Sequence, residues 1–299
     1  MTERGFPSNQ QESQRPPAVK SNWWRLTLYF IFFAIGAITC TFPLLLFFPQ
    51  LIEDYESIQY YASYLFSSQA ALAVGVLGAT HFMAKEIEYN QFSSYRLNID
   101  LKLLGSGFLL GAAIMAFIAI ALQALGLVDF QYKEISPMVT ANFLIYMLVA
   151  VIEEVIFRGY VLTNMNEKLT AFWAAALSSL LFGLAHVGND HFIWFDFASI
   201  ALSGYLMAVL SLKSGSISPA VGLHWSWNFV QGPILGFAVS GHAEKGIFQA
   251  NSIAADVLTG GKFGAEGSIL VMLFALTLAV CFSFKAFYLD QKKSNDTSR

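Results

Sequence analysis

Eight runs of the chain, at 26–48, 61–83, 103–127, 139–161, 170–187, 192–212, 217–237 and 268–289, are almost continuously apolar. A helix that crosses a bilayer needs roughly 20 such residues. Lipid offers no partner to backbone N–H and C=O groups, so a run of this kind can bury itself only as a helix. Hydrophobic residues make up 56% of the chain and charged ones 12%, against roughly 25% charged in soluble domains. The mean hydropathy is +0.55. The expected fold class is all-α, a polytopic membrane protein with about eight transmembrane helices. The run at 170–187 is the shortest and that at 139–161 the most polar.

Basic residues favour the cytoplasmic side of a membrane. With eight spans and a cytoplasmic N-terminus, only Lys133, Lys245 and Lys262 fall outside, while the lysines and arginines of the other loops and tails fall inside. Both termini are therefore expected in the cytoplasm. Residues 1–21 are polar and hold Pro16 and Pro17, the composition of a disordered tail. The membrane domain is expected at 22–290, with its functional core at about 137–240 and a short cytoplasmic tail at 291–299. No secretory signal is evident, no internal repeat is visible, and Cys40 and Cys281 both lie in apolar runs, so no cysteine framework is expected. The linker at 85–102 reads either as an amphipathic segment on the membrane surface or as an ordinary loop. The glycine-rich stretch at 240–267 lacks the Lys-Ser/Thr ending of a phosphate-binding loop.

Against this background the charges inside apolar runs stand out. Glu153, Glu154 and Arg158 lie in LVAVIEEVIFRGYV. Each charge at the centre of a spanning helix costs about 2.5–3.5 kcal/mol even on mild insertion scales, which makes function the default reading. On a helix, Glu154 and Arg158 share a face and Glu153 is turned away by about 100°. Arg158 is expected to pair with Glu154 and to leave Glu153 free as a general base. A purely structural salt bridge would account for one carboxylate better than for two. His186, four residues after Phe182 in FGLAH, and His224, four before Asn228 in HWSWN, add imidazoles on two further runs. His224 and Asn228 share a face and can point two donors at one developing oxyanion. His81, His191 and His242 sit at run ends or in loops and read as solvated, and Asp190 and Asp196 read as helix-boundary residues.

EEVIFRG, FGLAH and HWSWN, in this order on successive apolar runs, resemble the motifs Glu-Glu-x-x-x-Arg, Phe-x-x-x-His and His-x-x-x-Asn of the CAAX protease and bacteriocin-processing (Abi) family, which includes the type II CAAX prenyl endopeptidases. Each motif alone is weak and the ordered set is specific. The resemblance covers residues 140–230. It implies an intramembrane endopeptidase acting on membrane-associated peptides, prenylated or leader peptides among them, in a bacterial plasma membrane. Carried over by position, Glu153 and His186 activate a water, Glu154 and Arg158 order the site, and His224 with Asn228 stabilise the oxyanion. No cofactor is favoured. Zinc held by Glu153, His186 and His224 is the alternative, with an open fourth position, although Asn228 fits a metal-free route more naturally.

Two rival functions stay open. A proton-coupled transporter could use Glu153 and Glu154 as a relay, but would spread its charges through both halves of the membrane. A non-catalytic immunity or scaffold protein would keep the fold without cutting. The expected partners are a peptide or protein substrate and the lipid bilayer, with no nucleic acid. One geometric difficulty attaches to the protease reading. At 1.5 Å per residue from the loop near Asn166, Glu153 lies about 20 Å up and His186 about 30 Å up, while His224 lies about 14 Å from Gly215. The mismatch would ease if the fourth helix ended near Gly159 and residues 160–169 lay along the membrane surface.

Overall fold

The structure, a computed structural model, describes residues 16–47 and 58–283. Each of the eight apolar runs contributes a helix: α1 (Asn22–Thr41), α2 (Ile58–Phe82), α3 (Leu101–Ala124), α4 (Met138–Glu154), α5 (Ala171–Leu184), α6 (Trp194–Ser214), α7 (Ser218–Phe229) and α8 (Ile269–Ser283). Five helical stretches are long and apolar enough to cross a membrane: Asn22–Thr41, Ala62–Ile87, Leu101–Ala124, Met138–Asn166 and Trp194–Ser214. By length and composition the described residues support five of the about eight expected spans. The runs at 170–187, 217–237 and 268–289 form helices of 14, 12 and 15 described residues. The shortening of the first two has local causes. α5 gives way to turns leading into Gly188, Asn189 and Asp190. Beyond α7, Gly232 and Pro233 fall in a π-helical turn, Val230–Ile234, where proline has no N–H to continue an α-helix. The end of the 268–289 run, the first outer loop with Glu53, Asp54 and Glu56, and the tails at 1–15 and 291–299 lie outside the described residues.

α4 continues without interruption through a π-helical segment, Val155–Val161, into a last turn, Leu162–Asn166. The helix therefore does not end near Gly159, the arrangement that would have eased the depth mismatch. π-segments inside helices concentrate at functional sites, and this one begins immediately after Glu154 and contains Arg158.

Helix ends alternate between two faces of the bundle. One face gathers the start of α1, the 85–100 linker, the end of the α4 stretch and the α6–α7 turn. There Arg25 Nη1 lies 2.9 Å from Glu167 Oε2, Arg96 Nη1 donates to Thr163 Oγ1 at 2.5 Å, and Ser216 Oγ donates to Asn98 O at 2.7 Å. The linker is neither a surface helix nor a free loop. Tyr95 and Glu88 are buried, and Glu88 accepts hydrogen bonds from Tyr95 and Tyr160. Burial pushes its carboxyl above the usual range, against the opposing pull of those hydroxyls and Arg25. Ala18 N–H donates to Ile87 O at 2.8 Å, so the described end of the expected tail is tied down.

The opposite face carries the small sheet that sequence reasoning missed. β1 (Val128–Tyr132) pairs antiparallel with β2 (Phe248–Ser252), Val128 opposite Ser252 and Tyr132 opposite Phe248. Beside it, Glu244 accepts from Asn142 Nδ2 at 2.9 Å and from Tyr146 Oη, and its carboxyl is raised by burial. These contacts fasten the 240–252 segment to the first turns of α4.

In lipid there is no hydrophobic drive to bring helices together, so small residues that allow close approach decide which ones pack. α7 lies against α3 along such a seam. A Cβ at Gly107 would overlap the Pro219 carbonyl, and one at Gly222 would overlap the Leu104 carbonyl. α7 also packs on α4 and α6, which places it at the centre of the bundle with Trp225 Nε1 donating to Phe143 O at 2.8 Å. Gly222→Ala is expected to force α3 and α7 apart and to lower stability by about 1–3 kcal/mol, the range of core overpacking. Activity should fall with it, since α7 carries His224 and Asn228. Thermal unfolding of the detergent-solubilised variant checks the first effect.

Candidate active site

Glu153 and Glu154 end α4, where the π-segment begins. Glu154 and Arg158 are fully buried, and Arg158 Nη1 donates to Glu154 Oε1 at 2.9 Å. The guanidinium is held on two further sides. Its Nη2 donates to Gly204 O at 3.0 Å, and its carbon sits 4.2 Å from the centre of the Phe182 ring. A side chain at Gly204 would crowd both Arg158 Nη2 and Phe182. The Phe of FGLAH thus has a physical task, a cation–π contact that replaces part of the hydration a buried guanidinium loses.

α7 brings the third motif onto the same carboxylate. His224 Nδ1 lies 3.0 Å from Glu154 Oε1, so this one oxygen accepts from both Arg158 and His224. A carboxylate at Nδ1 fixes the ring orientation and keeps the proton there, leaving Nε2 to act. Nε2 lies 3.8 Å from Glu153 Oε2, too long for a hydrogen bond but close enough for strong electrostatic coupling. The two glutamates differ in their environments. Glu154 is sealed in the ion pair, whereas the Glu153 side chain is 27% exposed. The oxygens Glu153 Oε2 and Glu154 Oε2 are nonetheless buried without a protein hydrogen-bond partner.

His186 stands just past the end of α5. Its Nδ1 lies 2.8 Å from Phe182 O; a carbonyl only accepts, so Nδ1 carries the proton and Nε2 keeps its lone pair. The Phe182 ring centre is 4.8 Å from that of His186 and 6.0 Å from that of His224. His186, His224 and Asn228 line one cavity, walled on its other sides by Trp227, Met207 and Ser203. Asn228 is buried on the His224 face of α7.

The depth mismatch between Glu153 and His186 is smaller than the residue count suggested. Ser178 Oγ donates to Phe157 O at 2.8 Å, which fixes these two residues at one level. Glu153 is then four residues beyond Phe157 and His186 eight beyond Ser178, a difference of about 6 Å at 1.5 Å per residue. The Asn166–Thr170 loop, counted as rise, supplied much of the earlier difference.

Among the described residues, no group of three or more His, Cys, Asp or Glu side chains is gathered closely enough to hold a metal ion. Of the zinc set, Glu153 and His224 approach each other and His186 does not complete it. His81, His191 and His242 are exposed, as is Asp190. Asp196 is a helix-boundary residue in fact, its Oδ2 accepting from Ile193 N–H at 2.8 Å at the start of α6. Sequence reasoning missed a further acid of the cavity wall, Glu266, in the glycine-rich stretch.

Residues 135–230 match the family model described as type II CAAX prenyl endopeptidase Rce1-like. The match contains all three motifs and spans α4 to the end of α7. Over these residues the chain is similar to a family of membrane endopeptidases. No curated protein matches the chain.

Proposed function

We propose that this chain is an intramembrane endopeptidase that hydrolyses peptide bonds of membrane-associated substrates with a water activated by Glu153 and His186, without a metal. The observation that carries the proposal is the shared oxygen of Glu154, which ties Arg158 and His224 to one point, with Glu153 Oε2 3.8 Å from His224 Nε2 and with His186, His224 and Asn228 lining one cavity. With Glu153 and Glu154 ionised and Arg158 and His224 cationic, the four charges sum to zero, which limits the penalty of burying them.

In this reading a water donates its hydrogens to the two acceptors, Glu153 and His186 Nε2. Glu153 takes one proton as the oxygen adds to the carbonyl carbon. Negative charge developing on the carbonyl oxygen meets His224 Nε2–H and the Asn228 amide. As the C–N bond breaks, the proton held by Glu153 passes to the departing amine, so acid and base roles fall to one carboxylate in turn. Orientation with both termini in the cytoplasm of a bacterial plasma membrane completes the reading. It rests on the lysine and arginine distribution and on the resemblance.

The test is to incubate the purified protein and its Glu153→Ala variant with a library of membrane-inserting peptides and to read cleavage by mass spectrometry. Products made by the parent and not by the variant are expected, and an uncut library would overturn the reading. Activity should survive chelation. Stoichiometric zinc, with activity lost on chelation and regained on adding zinc back, would replace the metal-free route by the zinc alternative. Asn228→Ala should lower kcat by about 10²–10³ and leave KM nearly unchanged, because an oxyanion donor matters chiefly when charge develops. Steady-state kinetics on a cleaved peptide decides it.

A further inference from the structure

The cavity has a second polar wall that the hydrolytic reading does not use. Glu266 lies in a 3₁₀ turn, Ala265–Gly267, is 7% exposed and lines the same cavity as His186, His224 and Asn228. One of its oxygens is committed: Oε1 accepts from Ser240 N–H at 2.5 Å and from Ser240 Oγ at 3.1 Å. The other, Oε2, is buried and has no hydrogen-bond partner. Ser203 of α6 also lines the cavity, and its Oγ is likewise buried without a partner. Buried polar atoms are nearly always satisfied, so two orphans on one cavity call for an explanation.

The surrounding backbone is arranged to hold Glu266 there. Ser240 adopts φ +49, a left-handed conformation that non-glycine residues seldom take. Gly264 has φ +126, and a Cβ on it would overlap Ala238 O and crowd Glu266 Oε2. Ser199 Oγ donates to Glu266 O at 2.5 Å, and Gly241 N–H donates to Phe263 O at 2.7 Å. The 237–241 and 260–268 stretches are thus fastened to each other and to α6. Burial pushes the Glu266 carboxyl up to about 7.

We propose that Glu266 Oε2 and Ser203 Oγ bind the backbone of the peptide substrate beside the scissile bond, the carboxylate accepting from a peptide N–H and the hydroxyl donating to a peptide carbonyl. An acceptor and a donor lining one cavity match the two groups that every extended backbone presents regardless of side chain. Such a subsite would fix the direction and register of the chain while His186, His224 and Asn228 act on the bond. This rests on the endopeptidase reading.

The experiment uses a peptide that the library assay shows to be cleaved. Its KM and kcat are measured with Glu266→Gln and Ser203→Ala, and its affinity is measured by fluorescence anisotropy of a labelled copy on the Glu153→Ala background. Glutamine keeps an oxygen for Ser240 and places N–H donors where Oε2 stood, so it spares the structural contact and spoils the proposed one. A loss on the order of tenfold or more in KM and affinity is expected for Glu266→Gln, and a few-fold loss for Ser203→Ala, with kcat and thermal stability little changed. Cleavage with parental KM and affinity in both variants would overturn this proposal and leave the protease standing. A fall in thermal stability that accounts for the whole loss would make Glu266 a structural residue and overturn it equally. No cleavage of the library by the parent would remove the protease reading itself.

Discussion

Glu153→Gln is expected to lower turnover by about 10²–10⁴, the usual contribution of a positioned acid/base group, while thermal stability stays that of the parent. Glutamine preserves the volume and removes only the ability to take a proton. Glu153 is partly exposed, its Oε2 makes no protein hydrogen bond, and His224 Nε2 lies 3.8 Å from it. No hydrogen bond of Oε2 to the protein is lost with its charge. The paired measurement is peptide hydrolysis and unfolding temperature on the same preparation. A variant that keeps parental turnover would exclude Glu153 as the base. One that unfolds as readily as a Glu154 variant would remove the ground for giving the two glutamates different tasks.

The site was legible in the sequence where local geometry decides and illegible where distant elements do. The four-residue spacing from Glu154 to Arg158 puts them on one face, and the salt bridge follows even though a π-segment begins between them. The same spacing put His224 and Asn228 on one side of α7. That His224 would share the Glu154 oxygen with Arg158 depends on how α7 docks against α4, which no local spacing encodes. Glu266 was invisible for a related reason. It is a lone acid in a glycine-rich loop, and only the folding of that loop against Ser240 and α6 brings it to the cavity. A buried acid between glycines that cannot carry side chains is the signal that was available, and it can be read only once the backbone angles are known.

Hydropathy measures composition over a window and is blind to helix continuity, so an apolar run can outlast the helix it contains. Gly232, Pro233 and Gly236 are apolar enough to extend the 217–237 run, yet they end α7. The 128–132 and 248–252 strands carried no comparable signal. Each is five residues long, and they pair across more than a hundred residues of chain, so neither a short turn nor a neighbouring strand announces them. The closing of the 240–252 segment over the first turns of α4, through Glu244, Asn142 and Tyr146, is likewise a long-range event.

Glu154→Gln should behave differently from Glu153→Gln, losing stability and activity together. It leaves the fully buried Arg158 guanidinium without its carboxylate, and breaking a buried pair by removing one partner typically costs about 3–5 kcal/mol. The contacts of Arg158 with Gly204 O and the Phe182 ring remain but supply no negative charge. His224 exchanges a carboxylate at Nδ1 for a neutral amide oxygen that Arg158 also needs, so its imidazolium loses its counter-charge and turnover falls even in the fraction that stays folded. A double variant separates the two effects. Replacing a whole buried pair with apolar groups of similar size is often neutral or stabilising, so Glu154→Leu with Arg158→Met is expected to recover most of the lost stability while remaining inactive. Recovery of both would mean that the pair serves only the fold and that His224 needs no anchor. Recovery of stability alone would assign the cost of burying these charges to the positioning of one imidazole.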